Sequence, residues 1–148
     1  MELGELSEGL KLAAINVGSV FVMTFFPEDG ITPKNVGDIS RDKIFVVIGK
    51  SDEGLLVASL LINSEVNQHL SEIIGDYQHE IKASEYDFLE HDSFINGYEV
   101  REISVERILE QARFLGILNE EDINMAIWKA TSSPVIKEYI IKTYHLEL

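Results

Sequence analysis

Lys43-Ile44-Phe45-Val46-Val47-Ile48-Gly49, the connection Lys50-Ser51-Asp52-Glu53-Gly54, and Leu55-Leu56-Val57-Ala58-Ser59-Leu60-Leu61-Ile62 form the stretch on which the fold turns. Both flanking runs are dense in β-branched and long apolar residues, which suits strands. The five-residue polar connection ends on glycine, and that predicts an antiparallel hairpin. The first run is apolar at consecutive positions, so its strand is expected to be buried on both faces.

Upstream, residues 18–26 carry Val20, Phe21, Val22, Phe25 and Phe26 close to Gly18, and read as a further strand. Residues 27–38 hold two prolines, two glycines and an Asp-Gly pair, and predict a long loop of the kind that often carries function. Leu3, Leu6 and Leu10 fall at helical spacing in the opening residues 2–11. Downstream, residues 63–76 are polar, with a short helix expected around Leu70, Ile73 and Ile74. Strands are predicted at His79–Ala83 and Ser93–Ile103, with Tyr86, Phe88 and Leu89 anchoring the turn between them. Gly97 inside the second of these predicts a bulge or tight bend.

After Ser104 the period changes to that of a helix. Val105, Ile108, Leu109, Ala112 and Leu115 fall on one face, with Ser104 as N-cap and Gly116 as the stop. Asn119 caps a second helix with Glu120, Glu121 and Asp122 in its first turn, where the dipole favours acid. Ser133-Pro134 predicts the start of a third, presenting Val135, Ile136, Tyr139 and Ile140 to a partner surface. Trp128 is expected to pack its helix. The fold class is therefore mainly β with helices: one domain over 1–148, a small curved β-barrel at 12–104 followed by a helical segment at 105–148.

Bulk composition narrows the function. A chain of 148 residues with 45% apolar content can bury a core of its own, which excludes wholesale disorder. No apolar run approaches the roughly 20 residues that span a bilayer, so no membrane partner is expected. The opening MELGELSEG has three glutamates and no Lys or Arg, unlike the charged start of a secretory signal. Without cysteine there is no disulfide, no thiolate metal site and no thiol nucleophile, and a cytoplasmic location is expected. Against 26 acidic residues stand only 12 basic ones, a formal charge of −14. Such a chain repels a phosphate backbone at long range, so nucleic-acid binding requires a local basic patch.

Several short stretches resemble the MazF/PemK family. Gly18-Ser19-Val20-Phe21 is similar to the family's opening Gly-Asp-Val strand before a Pro/Gly loop. Phe45-Val46-Val47-Ile48 resembles its next strand, and Leu61-Ile62-Asn63-Ser64 the apolar strand ending in Thr or Ser. Asp92-Ser93-Phe94-Ile95, Glu99-Val100-Arg101-Glu102-Ile103-Ser104 and Arg107-Ile108 follow the family's Ser-apolar-apolar, Gln-apolar-Arg-x-Ile-Asp and Arg-Leu pattern, with Glu for Gln and Ser for Asp. Gly116-Ile117-Leu118-Asn119-Glu120-Glu121-Asp122 resembles the start of its terminal helix. The resemblance covers about residues 15–130 and implies an SH3-like barrel. It also implies a toxin of a toxin–antitoxin system: a metal-independent endoribonuclease acting on single-stranded RNA, not DNA, as a homodimer silenced by an antitoxin protein.

Metal-free cleavage of RNA uses the ribose 2′-hydroxyl as nucleophile and needs a base, an acid and a cation for the charged phosphorane. Where the family has an Arg-Pro pair this chain has Arg41-Asp42-Lys43, and where it has Thr or Ser it has Asn63 and Ser64. The resemblance also gives His79 as a base before the fourth strand. Arg41, Lys43, Asn63, Ser64 and His79 are thus the candidate catalytic residues, in a basic groove shared with Lys34, with no cofactor and no metal. The family's Arg and Asp on the strand 94–103 are replaced at Asn96 and Tyr98, and Arg101 is expected to brace the barrel. Other readings of the same residues stay open: solvated charges at 41 and 43, turn capping by Asn63 and Ser64, and a structural hydrogen bond from His79. His91 among Glu85, Asp87, Glu90 and Asp92 fits no standard metal spacing. The alternative function is a non-catalytic barrel module for protein–protein interaction, and a third is an acidic surface that imitates nucleic acid.

Overall fold

A computed structural model describes residues 13–26, 29, 41–64 and 72–147. The expected helix at 2–11, most of the 27–38 loop with Lys34, and Leu70 lie outside these residues. The strands are β1 (Ser19–Phe25), β2 (Arg41–Lys50), β3 (Leu56–Asn63), β4 (Gln78–Ile81), β5 (Ser93–Asn96), β6 (Arg101–Ser104) and β7 (Arg113–Ile117). The helices are α1 (Glu72–Gly75), α2 (Val105–Gln111), α3 (Glu120–Ser132) and α4 (Glu138–Thr143).

One antiparallel sheet runs in the order β4-β5-β3-β2-β1-β7. The predicted hairpin is its centre, with Ile44 opposite Ile62 and Phe45 opposite Leu61. The far edge of β3 is shared: Leu56–Ser59 pair with β6, and Ile62–Asn63 pair with β5. The expected strand at 93–103 is therefore broken in two. At the break, the Gly97 N–H donates to the Tyr77 carbonyl at 2.8 Å. A Cβ there would stand 2.7 Å from the Lys129 Cβ and 2.8 Å from the Tyr77 oxygen, so only glycine fits the approach.

Both faces of the central strands are buried, as the uninterrupted apolar run of β2 predicts. Val20, Val46, Ile48, Ala58, Leu60 and Ile62 point to one face and pack against α3, α4 and the closing Tyr144 and Leu146. Phe21, Met23, Phe25, Phe45, Val47, Val57 and Leu61 point to the other and pack against α2 and Ile15. The switch at every residue is the period of two of a strand. Phe45 anchors an aromatic row on the second face, with the Phe21 ring 5.7 Å away and the Phe25 ring 6.0 Å away edge-on. Gly49 sits at a register shift of β2, where a Cβ would meet the Tyr144 Cβ and carbonyl at 2.7 Å.

The helical reading of 105–148 is corrected in three places. The helix capped by Ser104 ends at Gln111, not Gly116. Ala112 turns extended, and Arg113–Ile117 pairs with the open edge of β1 as β7. Leu115 satisfies both a helical and an alternating pattern, but the free edge of β1 decides for a strand. The last helix starts at Glu138, not Pro134, because Ser133 closes α3 and donates to the Tyr98 carbonyl at 2.6 Å. Trp128 does not pack its helix: it is 52% exposed, with the Lys129 ammonium 5.6 Å from its ring centre. The Asn119 cap and the anchoring of the 82–92 segment by buried Tyr86 and Leu89 are as expected.

Candidate functional site

Arg41 and Lys43 lie two residues apart on β2, so both face the side of the sheet that carries Phe45 and α2. Lys43 stands opposite Met23 of β1, and its ammonium donates to the Asn63 side-chain oxygen on β3. Arg101 joins from β6, in register with Ser59, whose hydroxyl donates to the Arg101 carbonyl at 2.9 Å. The four residues come from three adjacent strands, and the hairpin that sets the fold also sets their spacing.

Arg107 completes the corner from α2. Ser104 accepts a hydrogen bond from the Arg107 N–H at 3.1 Å, which fixes the first turn and aims the side chain back over β1. Its guanidinium lies 5.4 Å from the Phe25 ring centre, donates to the Thr24 carbonyl, and grips both carboxylate oxygens of Asp29 at 2.9 Å. Arg101 donates to the Asp29 carbonyl at 2.6 Å. Asp29 also accepts from the Phe26 N–H at 2.7 Å, so Asp29 is tied to the end of β1 and held to the corner by two arginines. The Arg107 guanidinium holds the Asp29 carboxyl below its ordinary 3.8.

Lys43 is the perturbed group. Burial, with Arg41 and then Arg101 beside it, brings its pKa down from 10.5 to about 8. Arg41, Lys43, Arg101 and Arg107 make four of the chain's 12 lysines and arginines. Arg107 is paired with Asp29 and Arg101 lies 3.8 Å from Glu99, so Arg41 and Lys43 supply the positive charge of this corner in a chain of charge −14, and contact with a phosphate backbone requires such a local patch. Among the described residues, no carboxylate lies within ion-pair distance of Arg41 or Lys43.

The structure thus brings together Arg41, Lys43 and Asn63, and leaves Ser64 exposed at the end of β3 beside them. It does not bring His79. Opposite Ile95, which is itself opposite Ile62, His79 faces the other side of the sheet. There its Nε2 meets the Asp122 carboxylate at 2.8 Å, and the Tyr86 hydroxyl donates to the second Asp122 oxygen at 2.5 Å. Burial, aided by that carboxylate, pushes the Tyr86 hydroxyl up to about 12, so it stays a donor. The Asn119 N–H donates to the same hydroxyl, and the trio binds the start of α3 to β4. The reading of His79 as a structural hydrogen-bonder describes this geometry.

Arg101 and Arg107 were not among the residues the sequence marked for chemistry. The signal was their place in the stretch 99–108, where one precedes and one follows the Ser104 cap. Among the described residues no group of His, Asp and Glu could hold a metal ion, and the acidic turn around His91 is not one. No helix of the described residues is long and apolar enough to cross a membrane. Comparison with family models and with curated proteins returned no match.

Proposed function

We propose that this chain is a divergent MazF/PemK-like protein that grips the phosphodiester backbone of single-stranded RNA at the Arg41–Lys43–Asn63–Arg101 corner and cleaves it without a metal. The carrying observation is the gathering of cations on one sheet face, with a lysine whose pKa is lowered to about 8, in a strongly acidic chain. An amine in that range is matched to proton transfer near neutral pH. In this reading the neutral fraction of Lys43 takes the proton of the ribose 2′-hydroxyl, and the 2′-oxygen attacks the adjacent phosphorus. The bond from phosphorus to the 5′-oxygen breaks, the leaving oxygen takes a proton from water, and a 2′,3′-cyclic phosphate remains. Arg41 and Arg101 offset the charge on the phosphorane, and Ser64 donates to a phosphate oxygen. Arg107 is committed to Asp29 and holds that residue at the corner instead.

The same reading takes the open antiparallel sheet as a divergent form of the family's SH3-like barrel and carries a homodimer and an antitoxin partner with it. The test is cleavage of a single-stranded RNA by purified protein in excess chelator. Cleavage should fall at least a hundredfold in the Arg41→Ala/Lys43→Ala variant, and overexpression of wild type should arrest growth. Wild-type protein that cuts no RNA, with no growth arrest, would sink the enzymatic reading.

One observation favours a second reading, a non-catalytic module on the same barrel. The imidazole that the resemblance offers as a base is engaged with Asp122 on the opposite face. On that reading a stable partner complex or homodimer survives the double substitution unchanged.

A further inference from the structure

We propose that the sheet surface beside the cationic corner, formed by Phe94, Asn96 and Gln78, is a subsite for one unpaired nucleobase of the bound RNA; this rests on the corner holding RNA phosphate. The register places it there. Asn63 stands opposite Phe94, and Phe94 opposite Glu80, so the Lys43–Asn63 contact continues across β5 onto β4 on one face. Asn96, two residues along β5, shares that face and stands opposite Gln78. With neighbouring strands about 5 Å apart, Phe94 lies roughly 10 Å across the sheet from Lys43. That is the reach from a phosphate to a neighbouring base.

The side chains are equipped for a base. Phe94 is half-buried and, among the described residues, belongs to neither core cluster. The Asn96 side-chain oxygen accepts from the Tyr98 N–H at 3.0 Å and from the Gln78 amide at 2.9 Å. The Gln78 amide also reaches the Ile74 carbonyl at 3.4 Å, so backbone groups fix which end of each amide is oxygen. The Asn96 NH₂ and the Gln78 oxygen are left without a protein partner among the described residues. Neither is sealed from solvent, since no buried side-chain N or O there lacks a partner. A donor and an acceptor beside an aromatic ring match the edge and face of an unstacked base. The one acid in the row, Glu80 on β4, is paired with Lys82 at 2.6 Å.

The experiment compares an eight-nucleotide single-stranded RNA with an abasic chain of the same phosphate count, by fluorescence anisotropy at fixed salt. Wild type should bind the intact RNA about tenfold more tightly than the abasic chain. Phe94→Leu and Asn96→Ala should each weaken the intact RNA roughly five- to tenfold and leave the abasic chain within about twofold, whereas Lys43→Met should weaken both. Equal wild-type affinity for the two chains, with Lys43→Met still weakening both, overturns the subsite and leaves the corner standing. No binding of either chain overturns both. The wild-type comparison needs no variant, so a misfolded substitution does not shield the proposal.

Discussion

Replacing Lys43 by methionine should make the protein more stable and, if the proposed function holds, weaken its binding of RNA. Methionine keeps the unbranched stem and its packing but removes the charge. A fall in pKa from 10.5 to about 8 corresponds to at most about 3 kcal/mol of penalty for holding the ammonium in the folded chain. The side chain is only half-buried, so solvent screening reduces this to about 1–2 kcal/mol. Loss of the hydrogen bond to Asn63 returns about 0.5–1 kcal/mol. The net gain at pH 7 is about 1 kcal/mol, or roughly 2–4 °C in Tm for a chain of this size. The pH dependence has a definite sign. Lys43 is charged in both states below pH 8, so the penalty is fully present there. Between pH 8 and 10.5 the unfolded chain holds the proton that the folded one has lost, and wild-type stability rises relative to the variant. Urea unfolding of both proteins at pH 7, 8.5 and 10 reads the difference directly. A variant less stable than wild type at pH 7, or a difference that does not change with pH, refutes the reasoning.

Three more outcomes follow from the packing. Asp29→Asn should lower stability by about 1–2 kcal/mol at pH 7, since it halves a doubly bonded arginine–carboxylate pair. Because the Asp29 carboxyl is held below its ordinary value, that contribution is present above the carboxylate range and is lost as pH falls through it, so acid titration should close the gap. Gly97→Ala should cost about 2 kcal/mol in chemical unfolding, because its Cβ would meet the Tyr77 carbonyl at 2.8 Å. Asp122→Asn should cost about 1–2 kcal/mol and leave RNA affinity within twofold, which separates the His79 trio from the corner.

The sequence speaks clearly where one local pattern has one outcome. The apolar run at 43–49 and its glycine-ended connection predict a two-faced hairpin, and Ser104 and Asn119 predict their caps. It misleads where two patterns overlap. Leu115 and Gly116 read as the end of a helix because the unfilled edge of β1, some 95 residues earlier in the chain, leaves no mark near them. Ser133-Pro134 reads as a helix start because the tie from Ser133 to Tyr98 is equally remote. The corner divides the same way. Arg41, Lys43 and Asn63 are legible from strand ends, but which charges meet depends on register across β1, β2, β3 and β6. His79 goes astray because period two places it correctly on a strand without saying which face is the working one.

The lock between Gly49 and the closing Tyr144 and Leu146 bears on when the molecule can fold. Synthesis delivers the hairpin before its covers. Until residues 113–117 reach β1 and residues 144–146 reach β2, one edge and one whole face of the sheet lack their cover. The nascent chain must therefore carry exposed Val46, Ile48 and Leu60 until residues 113–146 have been made, and it becomes a candidate for chaperone capture during that interval.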